Sequence, residues 1–216
     1  MSEATLSLGI VLFTGVTALD FVGPAQILSE ANGFSTMFLA KNLDPVATDA
    51  GFAVVPSAIF DECPSLDIIF LPGGSGQQGA MEDSDLVDFV RKQGATAKFV
   101  CSVCTGSLLL GKAGLLDGFR ATTHWAFLDD LARFGAQPVR QRVVVDRNRV
   151  TGAGVSAGID FALSLLAKLR GDDRAKLMQL GIEYDPEPPF DWGNPDNVDP
   201  VLVSQLRDAF RKLIVF

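Results

Sequence analysis

The chain has 216 residues, of which 48% are hydrophobic and 20% charged, with a formal net charge of −8 at pH 7. That length carries one well-buried core, the composition argues against disorder, and acidity without a cluster of Lys and Arg among aromatics gives nucleic acid nothing to hold. No run reaches the roughly 18 uninterrupted apolar residues of a membrane span, Met1-Ser2-Glu3 lacks the basic opening of a secretory signal, and Cys63, Cys101 and Cys104 form no disulfide framework, so a reduced cytoplasmic setting is expected.

Leu6 to Phe13 reads as a buried strand broken at Thr14-Gly15-Val16-Thr17. Asp20 then stands near the start of a helix with Gly23-Pro24 in its first turns, and the helix ends at Asn32-Gly33. A second strand is expected from Phe34 to Ala40, and Val46 to Ile59, with Gly51, reads as a small hairpin or excursion. The apolar strand Leu66 to Leu71 closes on Pro72-Gly73-Gly74-Ser75-Gly76, a loop that can bring bare backbone N–H groups to a ligand. A helix from Ser84 to Gln93 leads to a strand from Lys98 to Ser102. This alternation predicts an α/β fold: a mostly parallel, doubly wound, flavodoxin-like sheet with helices on both faces and ligands at the carboxyl ends of the strands.

Further along, Ala121-Thr122-Thr123-His124-Trp125 opens a helix expected to run to Phe134-Gly135. A strand at Val139 to Val145, a turn at Asp146-Arg147-Asn148 and a short strand to Thr151 lead through Gly152-Ala153-Gly154 to a helix from Ser156 to Lys168, with another from Arg174 to Leu180. The proline-rich stretch Tyr184 to Pro195 cannot be a regular helix and reads as a lid or an interface arm. A last helix spans Pro200 to Ile214. With no internal repeat and no composition break, residues 1–216 read as one domain.

The chemistry centres on Phe99-Val100-Cys101-Ser102-Val103-Cys104-Thr105-Gly106-Ser107-Leu108-Leu109-Leu110, where an apolar strand ends on a cysteine that opens a helix. Such an elbow exposes a nucleophile at the sheet end, and the first helical N–H groups favour a thiolate. Small Gly106 and Ser107 let other backbone come close. Cys101 and Cys104 have the spacing of redox and metal motifs, but Cys101 belongs to the strand and is expected to be packed and inert. A zinc site would have to recruit Cys63 and His124 at irregular spacing, so no metal is expected.

In a parallel sheet the loop bearing Asp20 opens on the same edge as Cys104, which makes Asp20 the best acid or base, alongside its role as a helix cap. His124, the sole histidine, is either the base of a Cys-His hydrolase or a capping residue at a helix start. Thr105, not histidine, follows the cysteine. Gly73 and Gly74 are candidate backbone donors to substrate or simply turn residues, and Tyr184 could offer a hydroxyl from the arm. Val155 and Ser156 are expected to pack against the cysteine, their helix free to shift when the thiol is modified.

Leu71-Pro72-Gly73-Gly74, Cys104-Thr105-Gly106 and Ala121-Thr122-Thr123-His124-Trp125 together resemble the ThiJ/PfpI branch of the class I glutamine amidotransferase-like superfamily, over nearly the whole chain. Leu19-Asp20-Phe21-Val22-Gly23-Pro24, Val103 to Leu108, Arg147 to Gly154 and Glu183 to Phe190 resemble more closely its isocyanide hydratase group. That resemblance implies Cys104 as nucleophile, Asp20 as its carboxyl partner and Thr105 as the flanking residue. It implies a hydro-lyase turning an isocyanide into an N-substituted formamide through a Cys104 thioimidate, with no metal or organic cofactor and a homodimeric assembly. Much of the superfamily carries glutamate where Asp20 stands; the shorter carboxylate leaves more room at the thiol. The alternatives are a thiol redox sensor or a related cysteine hydrolase or glyoxalase-like enzyme. AraC-type regulators resemble the chain around Cys-Thr-Gly and Thr-Thr-His-Trp, but their paired helix-turn-helix units are not expected in the one helix that closes this sequence.

Overall fold

The structure, a computed structural model, describes residues 4–214; the Met1-Ser2-Glu3 opening lies outside them. In chain order the elements are β1 (Leu6–Val11), α1 (Ala18–Glu30), β2 (Phe34–Ala40), β3 (Val46–Ala47), β4 (Ala53–Val54), β5 (Ala58–Ile59), β6 (Ile68–Leu71), α2 (Gln77–Glu82), α3 (Ser84–Thr96), β7 (Phe99–Val103) and α4 (Gly106–Lys112). They continue with β8 (Arg120–Ala121), a run of 3-10 turns (Trp125–Phe134), β9 (Gln137–Pro138), β10 (Val143–Asp146), β11 (Arg149–Gly152), α5 (Ala157–Arg170), α6 (Asp172–Gly181) and α7 (Pro200–Leu213).

The main sheet has the order β10-β11-β7-β6-β1-β2-β5, and every neighbouring pair is parallel except β10 with β11. Its central strand β6 is an uninterrupted apolar run, as a parallel strand covered on both faces favours, and β1 and β7 carry polar side chains only at Ser7 and Ser102. All four residues of β6 are buried. α1, α5 and α6 pack together on one face and α2, α3 and α4 on the other. Phe161 of α5 stacks on Phe70 of β6 at 5.1 Å between ring centroids, which anchors one layer to the sheet.

Side chains fix the starts of two helices, α3 and α7. Asp83 accepts from the N–H groups of Asp85 and Leu86 at the head of α3, and Asp199 accepts from Val201 N–H ahead of Pro200 in α7. The expected hairpin forms between β3 and β4, while β5 returns to pair with β2.

Three details differ from expectation. The segment from Ala121 to Phe134 is the end of the short strand β8, an extended link at 122–124 and then 3-10 turns from Trp125, not an α-helix. The turn after Gly76 holds an additional helix, α2. Pro24 lies well inside α1, where it has no N–H for the Asp20 carbonyl; α5 approaches there, and a Cβ on Gly158 would sit 3.2 Å from the Pro24 ring and 3.3 Å from Asp20 O. Among the described residues no helix is long and apolar enough to cross a membrane.

Candidate active site

After β1 the chain crosses to β2, whereas after β6 it crosses to β7 on the other side, so the connections diverge between β1 and β6. A crevice opens at the carboxyl ends of strands where that happens. Asp20 follows β1, Gly73 and Gly74 follow β6, Cys104 follows β7, and Ala153 and Val155 follow β11.

A single residue, Gly73, joins the first two loops. Thr17, the N-cap of α1, gives its N–H to Gly73 O, and Gly73 N–H donates to Asp20 Oδ2, both at 2.8 Å. Gly73 thus satisfies the N-cap N–H of α1 and anchors the carboxylate three residues on. Thr17 makes no cap bond with its own hydroxyl, which donates to Asp49. Glycine is required at 73, since a Cβ there would lie 2.4 Å from Thr105 Oγ1 and 3.1 Å from Asp20 Oδ2.

Cys104 has a φ of 56°, in the left-handed region that costs a non-glycine residue about 1–2 kcal/mol. Three hydrogen bonds hold it there. Its N–H donates to Ala153 O at 2.7 Å, and its carbonyl accepts from Thr123 Oγ1 at 2.8 Å and Ser107 Oγ at 3.2 Å. Gly106 lets α4 start against the end of β6, where a Cβ would fall 2.1 Å from Leu71 O. The Thr122-Thr123 pair also braces the elbow from below, because Thr122 N–H donates to Thr151 Oγ1 on β11.

Asp20 is wholly buried, and its Oδ1 has no N–H or O–H partner among the described residues. Burial raises its pKa from 3.8 to about 7, opposed by the Gly73 N–H and by a hydrogen bond with the Cys104 thiol, while the Asp49 charge adds to the rise. The thiol is pushed well above its ordinary value by its own burial and then by the Asp20 charge; Thr105 N–H and hydroxyl pull the other way. The expected thiolate-favouring donors are therefore present but outweighed, first by burial and then by the Asp20 charge. Placing the proton on Asp20 removes the second cause and eases ionisation of the sulfur, with burial still opposing it. Cys101 is buried in β7 with its pKa driven far up by desolvation.

Above the sulfur lies a cavity of about 160 Å³ walled by His124, Phe127, Val155, Phe210, Leu213 and Ile214, with Thr17 and Asp49 on its polar side. His124 Nδ1 accepts from Ala126 N–H at 3.3 Å, which assigns the neutral ring's proton to Nε2, and burial lowers its pKa to about 4. Its ring stands edge-on to Phe210 at 4.9 Å. It serves as a cap and an uncharged aromatic wall.

The structure thus brings Asp20, Cys104, Thr105, Gly73, Gly74, Val155 and His124 together. Both glycine N–H groups are already engaged, Gly73 with Asp20 and Gly74 with Thr105 Oγ1 at 3.2 Å, so they position side chains rather than face the cavity. Ser156 and Tyr184 do not line it. Ser156 accepts from Arg142 beside a neighbouring cavity of about 550 Å³, and Tyr184 O–H donates to Asp160 at 3.0 Å near the start of α5. Sequence reading missed Gln77, Asp49 and the α7 wall. Of these only the wall left a signal, the i, i+4 spacing of Phe210 and Ile214 on an amphipathic helix.

A model of the DJ-1/PfpI family matches residues 7–168. An isonitrile hydratase from Pseudomonas putida is 48% identical over 94% of this chain and 89% of its own length. The transcriptional regulator GbdR of Pseudomonas aeruginosa (strain UCBPP-PA14) is 31% identical over 76% of this chain but only 47% of its own length. Among solved structures, a ThiJ/PfpI family protein from Pseudomonas syringae superposes with a TM-score of 0.90 at 43% identity, covering 99% of this chain and 92% of that one.

Proposed function

The chain belongs to the DJ-1/PfpI family, and from that premise we propose that it is an isocyanide hydratase, a hydro-lyase that converts R–NC and water into the N-substituted formamide. The observation that carries the reading is the buried Asp20 and Cys104 pair in a chain so similar, over nearly its whole length, to an isonitrile hydratase. In the first step the Cys104 thiolate attacks the terminal isocyanide carbon and Asp20 gives that carbon its proton, leaving a thioimidate, R–N=CH–S–Cys104. Asp20, now ionised, takes a proton from the attacking water. The C=N electron pair moves to nitrogen, which receives that proton by way of Asp20. The C–S bond then breaks with its pair going to sulfur, the hydroxyl proton returns to Asp20, and the formamide leaves. A carboxyl with a pKa of about 7 suits both donating and accepting near neutral pH.

The apolar cavity suits an uncharged alkyl or aryl R group, and nothing in these steps calls on a metal or organic cofactor. Residues 1–216 act as a single unit, a cytoplasmic setting keeps the thiols reduced, and a homodimer is the assembly. A neutral, capping His124 speaks against the Cys-His hydrolase alternative.

The experiment is formamide production from an aryl isocyanide by the native protein, Cys104→Ala, Asp20→Asn and His124→Ala. Loss of turnover in the first two alone supports the mechanism. Turnover surviving Cys104→Ala sinks it, and stoichiometric peroxide oxidation of Cys104 without any turnover favours the redox sensor.

A further inference from the structure

Gln77, the first residue of α2, is wholly buried beside the elbow, yet no step so far uses it. Its Oε1 lies 3.3 Å from Thr105 Oγ1, the same oxygen that accepts from Gly74 N–H at 3.2 Å. Its Nε2 is buried with no partner among the described residues.

A buried amide nitrogen with nothing to bind is costly, and rotating the terminal amide by half a turn exchanges its nitrogen and oxygen without altering its outline. After the exchange an N–H faces Thr105 Oγ1, and the atom left alone is a carbonyl oxygen, the milder of the two orphans. The consequence falls on Thr105. Its hydroxyl oxygen has two acceptor sites, and Gly74 N–H with Gln77 Nε2–H would fill both. Its one hydrogen must then go elsewhere, and the Cys104 sulfur, which lines the same cavity and interacts with the Thr105 side chain, can accept it.

We propose that Gln77 is a positioning residue for the nucleophile: it donates to Thr105 Oγ1 and so obliges the Thr105 hydroxyl to give its hydrogen to the sulfur. In the opposite orientation Gln77 would draw that hydrogen away to its own oxygen. The bond matters most while sulfur bears charge, which is before attack and again when the thiol is expelled. The favourable influence of the Thr105 hydroxyl on the thiolate agrees with this arrangement.

The inference rests on the proposed hydratase only for its turnover arm. The test compares Gln77→Met with the native protein, alone and in a Thr105→Val background, by the pH dependence of iodoacetamide alkylation at Cys104, with the labelled peptide identified by mass. We expect the apparent thiol pKa to rise by about half to one unit, so that alkylation at fixed pH slows about three- to tenfold. With an aryl isocyanide, kcat should fall about tenfold while KM stays within about twofold. Both effects should vanish once Thr105→Val has removed the hydroxyl, which a merely structural role would not require. An unchanged alkylation profile in a folded Gln77→Met, or a shift that persists in the Thr105→Val background, overturns the inference. If Gln77→Met does not fold, Gln77→Leu decides by the same measurements. Absence of turnover in the native protein would fail the hydratase reading and leave the alkylation result to decide this one.

Discussion

Asp20→Asn separates the proton chemistry of the site from its architecture. The carboxamide has the shape of the carboxyl, and its oxygen can still accept the Gly73 N–H at 2.8 Å, so the tie between α1 and the loop after β6 survives. The acid is lost, which for a positioned proton donor lowers turnover about 10²- to 10⁴-fold. Stability should move the other way. With a folded pKa of about 7 against 3.8, and about 1.4 kcal/mol per unit, ionised Asp20 costs the folded state about 4 kcal/mol. Because the folded value is raised, the stabilising contribution is fully present below about pH 3.8 and is lost as pH rises through about 7. Asparagine has no such titration. Urea denaturation from about pH 4 to about pH 8 should therefore show the native protein losing stability relative to Asp20→Asn across the window and levelling above it. A stability difference that stays flat with pH, or an Asp20→Asn variant within tenfold of native turnover, refutes the reasoning.

His124→Phe should keep turnover within about tenfold at neutral pH, because a neutral capping ring supplies no base. Since the folded pKa of His124 is lowered from 6.5 to about 4, the native protein should also lose about 3 kcal/mol, relative to this variant, as pH falls through that interval; acid titration by circular dichroism checks it. Gly73→Ala puts a methyl carbon 2.4 Å from Thr105 Oγ1 and 2.5 Å from Thr105 N. It should cost about 1–3 kcal/mol in denaturant melts and lower kcat about 10²-fold by parting Asp20 from the elbow. Phe210→Ala enlarges the wall opposite the sulfur, so kcat/KM for a bulky tertiary alkyl isocyanide relative to a small linear one should rise about tenfold in a steady-state comparison.

The central strands were legible because a doubly covered parallel strand is a continuous apolar run, as in Ile68-Ile69-Phe70-Leu71. The elbow was legible because such a run stopped at Cys104, and Asp20 because parallel topology gathers the loops after strands on one edge. α2 was not. It is one and a half turns of Gln-Gln-Gly-Ala-Met-Glu, with too few residues for an apolar period, and tertiary contacts hold it. Thr122 to Phe134 has an amphipathic composition that fits an α-helix, yet the bonds of Thr122 and Thr123 to β11 and the elbow fix its entry and the chain follows in 3-10 turns. The choice between donor and turn roles for Gly73 and Gly74 was open for a different reason: sequence shows that a backbone can come close, not which partner its N–H has found. Ser156 and Tyr184 were placed at the cysteine by their loops and turn instead to Arg142 and Asp160.

The divergence of connections between β1 and β6 has a consequence for how the molecule loses function. Asp20 and Cys104 are far apart in the chain, and only the pairing of β1 with β6 and of β6 with β7 brings their loops together. The edge strand β5 lies outside that set. Subglobal opening at that edge should leave catalysis intact, whereas any excursion that parts β1 from β6 abolishes it at once. Turnover in this protein is a probe of long-range order in the middle of the sheet, blind to fraying at its rim.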